Sequence, residues 1–121
     1  MTKIMIIDDD PIITELLKTR LKANSYEVVT ASDAIQSVGK AYDEKPDLIL
    51  LDYMLPAGNG LGVFNKLKQS VNTKDTPVIF VTGHAREGLE DEVMSMGAKG
   101  FIEKPFESEE LLAKIEEALS N

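Results

Sequence analysis

The chain has 121 residues, 43% of them hydrophobic, which suits one domain with its own core and leaves no room for a second of ordinary size. A net charge of −8 argues against nucleic acid or an anionic membrane as the direct partner, since both demand a basic face. There is no cysteine, so disulfides, thiolate metal sites and a cysteine nucleophile are excluded.

The first apolar run, Lys3–Ile7, reads as a strand. It is far too short for a signal peptide or a membrane span, and a cytoplasmic protein is expected. Asp8, Asp9 and Asp10 follow it. Asp10-Pro11 offers a helix N-cap with proline at the first helical position, ahead of a face made by Ile13, Leu16, Leu17 and Leu21. Residues 26–30 read as the second strand, and Asp33-x-x-Gln36 resembles a capping box. Leu48–Leu51 is nearly continuous Ile and Leu, as in a strand buried on both faces, and leads directly into Asp52. Residues 56–60 and 70–76 are the longest irregular stretches.

Residues 78–81 form the fourth strand, with Thr82 and Gly83 at its end. Leu89, Val93 and Met96 mark the face of a fourth helix, which stops at Met96-Gly97 with glycine past the cap. Residues 100–102 are the fifth strand, followed by Lys104-Pro105. Ser108, with Glu109 and Glu110 behind it, opens a last helix whose face is Leu112, Ile115 and Leu119. From Arg86 onward there are four basic and ten acidic residues, a net of −6. This is a solvated C-terminal face or a docking face for a basic partner.

Strands alternate with helices five times. That order predicts an α/β fold over residues 1–121, a parallel sheet with helices on both faces and right-handed crossovers. No internal repeat, low-complexity tract or linker interrupts it.

Ligands of an open α/β sheet bind beyond the carboxyl ends of its strands. Asp8 and Asp9, Asp52, Thr82 and Lys104 all follow strands there. Carboxylates about 4 Å apart repel by about 4 kcal/mol per pair at an effective dielectric near 20. A divalent cation removes the conflict, and all-oxygen ligands select magnesium, calcium or manganese. Lys104 can hold a second anion as a point charge, and Thr82 can donate a hydroxyl hydrogen bond. An aspartate attacking phosphorus makes an acyl phosphate. Taken singly, Asp10 is better explained as a helix cap, Phe101 equally well as core packing, and Lys104 as a surface lysine.

The landmarks Ile4-Met-Ile-Ile-Asp-Asp-Asp-Pro11, Leu50-Leu-Asp-Tyr-Met-Leu-Pro56 with Gly60, Val81-Thr-Gly83 and Lys104-Pro105-Phe106 resemble the receiver domains of two-component response regulators. The resemblance spans Lys3 to about Leu119. It implies a flavodoxin-like (βα)5 sandwich with sheet order 2-1-3-4-5 and Asp52 as phosphoacceptor, supplied by a histidine kinase or phosphotransfer protein. It implies magnesium held by Asp9, Asp52 and the carbonyl of Met54, with Asp8 helping through water; manganese or calcium would substitute in binding. Lys104 would pair with Asp52 or the phosphoryl group, across a cis bond to Pro105. Thr82 and Phe101 would switch the face built from the fourth helix, fifth strand and fifth helix, which would control a protein target. His84 and Met54 stand at flanking positions that influence phosphoryl loss in the family, and His84 is better explained singly as an exposed loop histidine.

The resemblance further implies a protein that catalyses its own phosphorylation and dephosphorylation but turns over no external substrate, as a monomer or weak dimer; the charge argues against a direct nucleic-acid or membrane partner. The start at Met1 and the stop just after the last helix mildly favour a stand-alone regulator, and a receiver cut from a transcription regulator or a hybrid kinase would read the same. The competing reading is a phosphorylation-independent interaction module; the intact set Asp8, Asp9, Asp52, Thr82 and Lys104 argues against it. An aspartate-dependent phosphatase would carry a second carboxylate where Met54 stands. The glycines at 58, 60 and 62 match no nucleotide-binding loop, and the acidic cluster would repel a flavin phosphate.

Overall fold

A strand covered by helices on both faces must be apolar at successive positions, and β1 (Lys3–Ile7) and β3 (Leu48–Leu51) are almost wholly so. The computed structural model describes residues 1–83 and 85–120. The remaining elements are α1 (Pro11–Ala23), β2 (Glu27–Ala31), α2 (Ala34–Glu44), β4 (Met54–Leu55), β5 (Gly58–Asn59), α3 (Gly60–Lys68), β6 (Val78–Thr82), α4 (Leu89–Ser95), β7 (Gly100–Glu103) and α5 (Ser108–Ser120). Five strands form one parallel sheet in the order β2-β1-β3-β6-β7. Without the small β4–β5 hairpin this is the expected order 2-1-3-4-5.

Alternation along the strands divides the core in two. Met5, Ile7, Ile49, Leu51, Phe80 and Phe101 pack against α2, α3 and α4. Ile4, Ile6, Leu50, Val81 and Ile102 pack against α1 and α5. The sheet is thus sandwiched between three helices and two.

The helix boundaries follow their caps. The Asp10 side chain accepts from the Ile12 amide with Pro11 at the first helical position, and Asp33 accepts from the Gln36 amide. Met96 caps α4, and Gly97 takes φ +107°, a left-handed conformation that suits glycine.

Three expectations need adjusting. Leu16 is 41% exposed, because the buried stripe of α1 runs through Leu17 and Leu21. In α5 the stripe is Leu111, Ile115 and Ala118, with Leu112 and Leu119 half-buried at its margin; small Ala118 lets the helix approach the sheet. Residues 56–60, read as irregular, include one strand of the two-residue hairpin β4–β5, too short to leave a periodic signal. Its second strand leads into Gly60, where a Cβ would lie 2.4 Å from the carbonyl oxygen of Asp52. Only glycine fits there without moving the Asp52 loop.

Candidate functional site

Strand pairing gathers the site. Ile7 pairs with Leu51, so Asp8 and Asp52 occupy the next rung of adjacent strands. The Asp52 amide donates to the Ile7 carbonyl at 2.9 Å, and the Asp8 amide to the Ala31 carbonyl at 3.1 Å. Both carboxylates are buried, whereas Asp9 is exposed. Carboxylate oxygens of Asp8, Asp9 and Asp52 all lie within 4.8 Å of one another. Asp10 turns away to cap α1, as its plainer reading held.

Lys104 reaches this cluster from the far side. Its amide donates to the Thr82 carbonyl at 2.9 Å, and its bond to Pro105 is cis. Its Nζ donates to Asp8 Oδ2 at 2.8 Å and to Asp52 Oδ2 at 3.3 Å. The sequence reading coupled Lys104 to Asp52; the shorter bond goes to Asp8. Register was the missing signal, since it seats Asp8 beside Asp52 and within reach of the same ammonium.

One ammonium faces three carboxylates. Burial pushes the Asp8 carboxyl above its ordinary pKa, and the Lys104 hydrogen bond and the Asp10 amide only partly offset that. Burial opposes the charge of Lys104 as well, but the bonds and fields of Asp8 and Asp52 outweigh it and hold this pKa above the usual lysine value. Both pKa values rise because Asp8 regains less from one lysine than Lys104 gains from two carboxylates.

An open cavity of about 700 Å³ lies over the cluster, between Asp9, Asp52, Met54, Gly83 and Lys104. Met54 is half-exposed at its rim, and its amide donates to Asp52 Oδ1 at 3.3 Å. The donors that meet here are all oxygens, crowded and short of positive charge. That is the donor chemistry of a hard divalent cation.

Thr82 is fully buried at the end of β6. Phe101 is buried against the α4 side of the sheet, beside its register neighbour Phe80. Thr82 lies two residues beyond Phe80, so strand alternation turns it to the same side as Phe101. The Phe101 ring packs in the core, a position that fits both of its readings. His84 lies outside the described residues.

A (βα)5 sandwich with an acidic cluster and a lysine at the carboxyl edge of its sheet defines the class, and comparison with known proteins agrees. Residues 4–116 match the response regulator receiver domain family. The chain belongs to that family. It is 38% identical over 117 residues to the DNA-binding dual master transcriptional regulator RpaA of Synechocystis, covering 95% of this chain and 48% of that protein. The chain spans about half the length of the curated relatives it matches. Among solved structures, the chemotaxis protein CheY4 of Vibrio cholerae has a TM-score of 0.90 at 28% identity, covering 98% of each chain. The receiver domain of the sensor histidine kinase PA1611 from Pseudomonas aeruginosa, solved with magnesium coordinated in its active-site cleft, has a TM-score of 0.90 at 25% identity, covering 99% of this chain and 98% of that one. Among the described residues, no helix is long and apolar enough to cross a membrane.

Proposed function

We propose that Asp52 accepts a phosphoryl group from a histidine kinase or phosphotransfer protein, and that the chain acts on a downstream protein target according to its phosphorylation. The observation that carries this reading is the buried Asp52 carboxylate, within 4.8 Å of Asp8 and Asp9 and bonded to Lys104 at 3.3 Å. Asp9, Asp52 and the carbonyl of Met54 would hold magnesium, with Asp8 acting through a water; the all-oxygen, charge-deficient cluster suits it. When bound, magnesium supplies neutralisation of the carboxylates and of the phosphoryl oxygens.

An Asp52 oxygen attacks phosphorus, the bond from phosphorus to the donor nitrogen breaks, and its electron pair leaves with the donor. Lys104 turns its ammonium from Asp52 to a phosphoryl oxygen, and the Thr82 hydroxyl donates to another. Little covalent work remains, so positioning and charge supply most of the catalysis. Hydrolysis of the acyl phosphate resets the site, which makes the reaction one of the chain on itself rather than turnover of an external substrate. Movement of Thr82 toward the phosphoryl group opens space that Phe101 fills from the same side of the sheet, and this repacking biases the α4–β7–α5 face.

The test is intact mass after incubation with magnesium and acetyl phosphate, beside Asp52→Asn. One phosphoryl adduct on the wild type alone is expected. No adduct would replace this reading with a phosphorylation-independent interaction module.

A further inference from the structure

α4 is the shortest helix among the described residues. It has seven residues, and its N-cap is Gly88 at φ +85°, with no side chain to satisfy the first-turn amides. Every other helix with a described N-cap has a side chain doing that work. The Leu89 amide donates to the Arg86 carbonyl at 3.0 Å, and the Arg86 guanidinium in turn donates to the Glu92 side chain and ion-pairs with it. The same guanidinium interacts with the side chain of Tyr53. Tyr53 follows Asp52 directly, its carbonyl accepts from the Gly60 amide at 2.7 Å, and its ring packs, with Ala85, against the core cluster that contains Leu89 and Val93 of α4. Arg86 is thus bracketed by the residue after Asp52 on one side and by α4 on the other.

We propose that Arg86 is a clasp that ties the loop carrying Asp52 to α4, holds α4 in its resting register, and loosens when Asp52 is phosphorylated. The last part rests on the phosphoacceptor reading above. The physical basis is local: Leu89 and Val93 fix the inner face of α4 in the core, while no side chain caps its amino end, so the exposed Arg86–Glu92 pair is felt at that end. Charge gained at Asp52 shifts its neighbour Tyr53, and Arg86 cannot then keep both partners.

Amide hydrogen exchange of α4, read at the Glu92 and Met96 amides, tests this in the full chain. In the unphosphorylated protein, Arg86→Ala, Tyr53→Phe and Glu92→Gln each speed exchange about twofold to fivefold, the scale of an exposed ion pair. Arg86→Lys restores part of the protection, because the ammonium can pair with Glu92 but lacks the planar fork needed for both partners. After acetyl phosphate and magnesium, wild-type α4 exchanges as fast as the Arg86→Ala protein, which itself changes little. Wild-type exchange in all three resting variants would remove the clasp. Acceleration by Arg86→Ala and Glu92→Gln but not by Tyr53→Phe would reduce Arg86 to a helix staple without a link to Asp52. A difference between wild type and Arg86→Ala that survives phosphorylation would overturn the loosening. A wild type that takes up no phosphoryl group defeats the phosphoacceptor reading, while the resting comparison still decides whether the clasp exists.

Discussion

Each end of the sheet carries a lysine between carboxylates, and the two ends differ in what surrounds them. At the amino end, Lys3 Nζ lies 3.1 Å from Glu44 and 3.9 Å from Glu27, with side chains 23%, 37% and 51% exposed. It also donates to the Glu44 carbonyl at the end of α2, where a positive charge is favoured. At the carboxyl end, Lys104 lies 2.8 Å from Asp8 and 3.3 Å from Asp52, with side chains 15%, 3% and 6% exposed. Water screens the first set more than the second, which meets it only across the open cavity. The same residue types therefore make a solvated tether at one end and an unresolved electrostatic conflict at the other. Burial with excess like charge, rather than ion pairing as such, marks the end where chemistry occurs.

The largest expected contrast is in stability. Lys104→Met leaves Asp8 and Asp52 buried without a counter-charge and should cost about 3 kcal/mol or more. Lys3→Met should cost less than about 1 kcal/mol, since its partners return to water. Urea unfolding midpoints in the presence of a chelator measure both. Equal losses would erase the distinction between the two ends.

Much of this was legible in the sequence because it depends on local pattern. The near-continuous apolar runs at Lys3–Ile7 and Leu48–Leu51 announce strands covered on both sides, and caps at Asp10 and Asp33 announce helix starts. Asp52 was conspicuous because a carboxylate follows four buried residues without a break. What escaped depends on register and packing. The 2.8 Å bond between Lys104 and Asp8 spans 96 residues, and it takes the β1–β3, β3–β6 and β6–β7 alignments together to bring it about. Leu16 reads as core in a periodic pattern, yet the buried stripe of α1 runs through Leu17 and Leu21 and leaves it exposed. The Arg86–Glu92 pair is an ordinary charge pattern until Gly88 is seen to leave α4 without a side-chain cap.

Next in size is the response to magnesium. A ligand that binds only the folded state stabilises by about 2.7 kcal/mol at a hundredfold excess over its Kd. Millimolar magnesium should therefore raise the Tm of the wild type, and Asp9→Ala should abolish most of that shift. Glu44→Ala, at the opposite end, should retain it in full. An equal shift in all three proteins would mean that the ion does not use the carboxylates at the carboxyl edge.

The smallest effect has the sharpest sign. Burial raises the Asp8 pKa above its usual 3.8, so the folded chain binds this proton more readily than the unfolded one. Its contribution to stability is fully present below that usual value and is lost as pH rises through the folded pKa. In metal-free protein, Asp8→Asn should thus be more stable than wild type at neutral pH, and the gap should close on acidification. The amide keeps an acceptor for Lys104 while removing the buried charge. Urea midpoints followed from about pH 4 to about pH 7 in chelator read the difference. A gain on neutralising a native charge would mean that the carboxylate is retained at some expense of stability, the trade-off common at functional sites. A loss that grows toward neutral pH would mean that the bond to Lys104 outweighs burial, and Asp8 would then be a tether of the same kind as the carboxylates around Lys3.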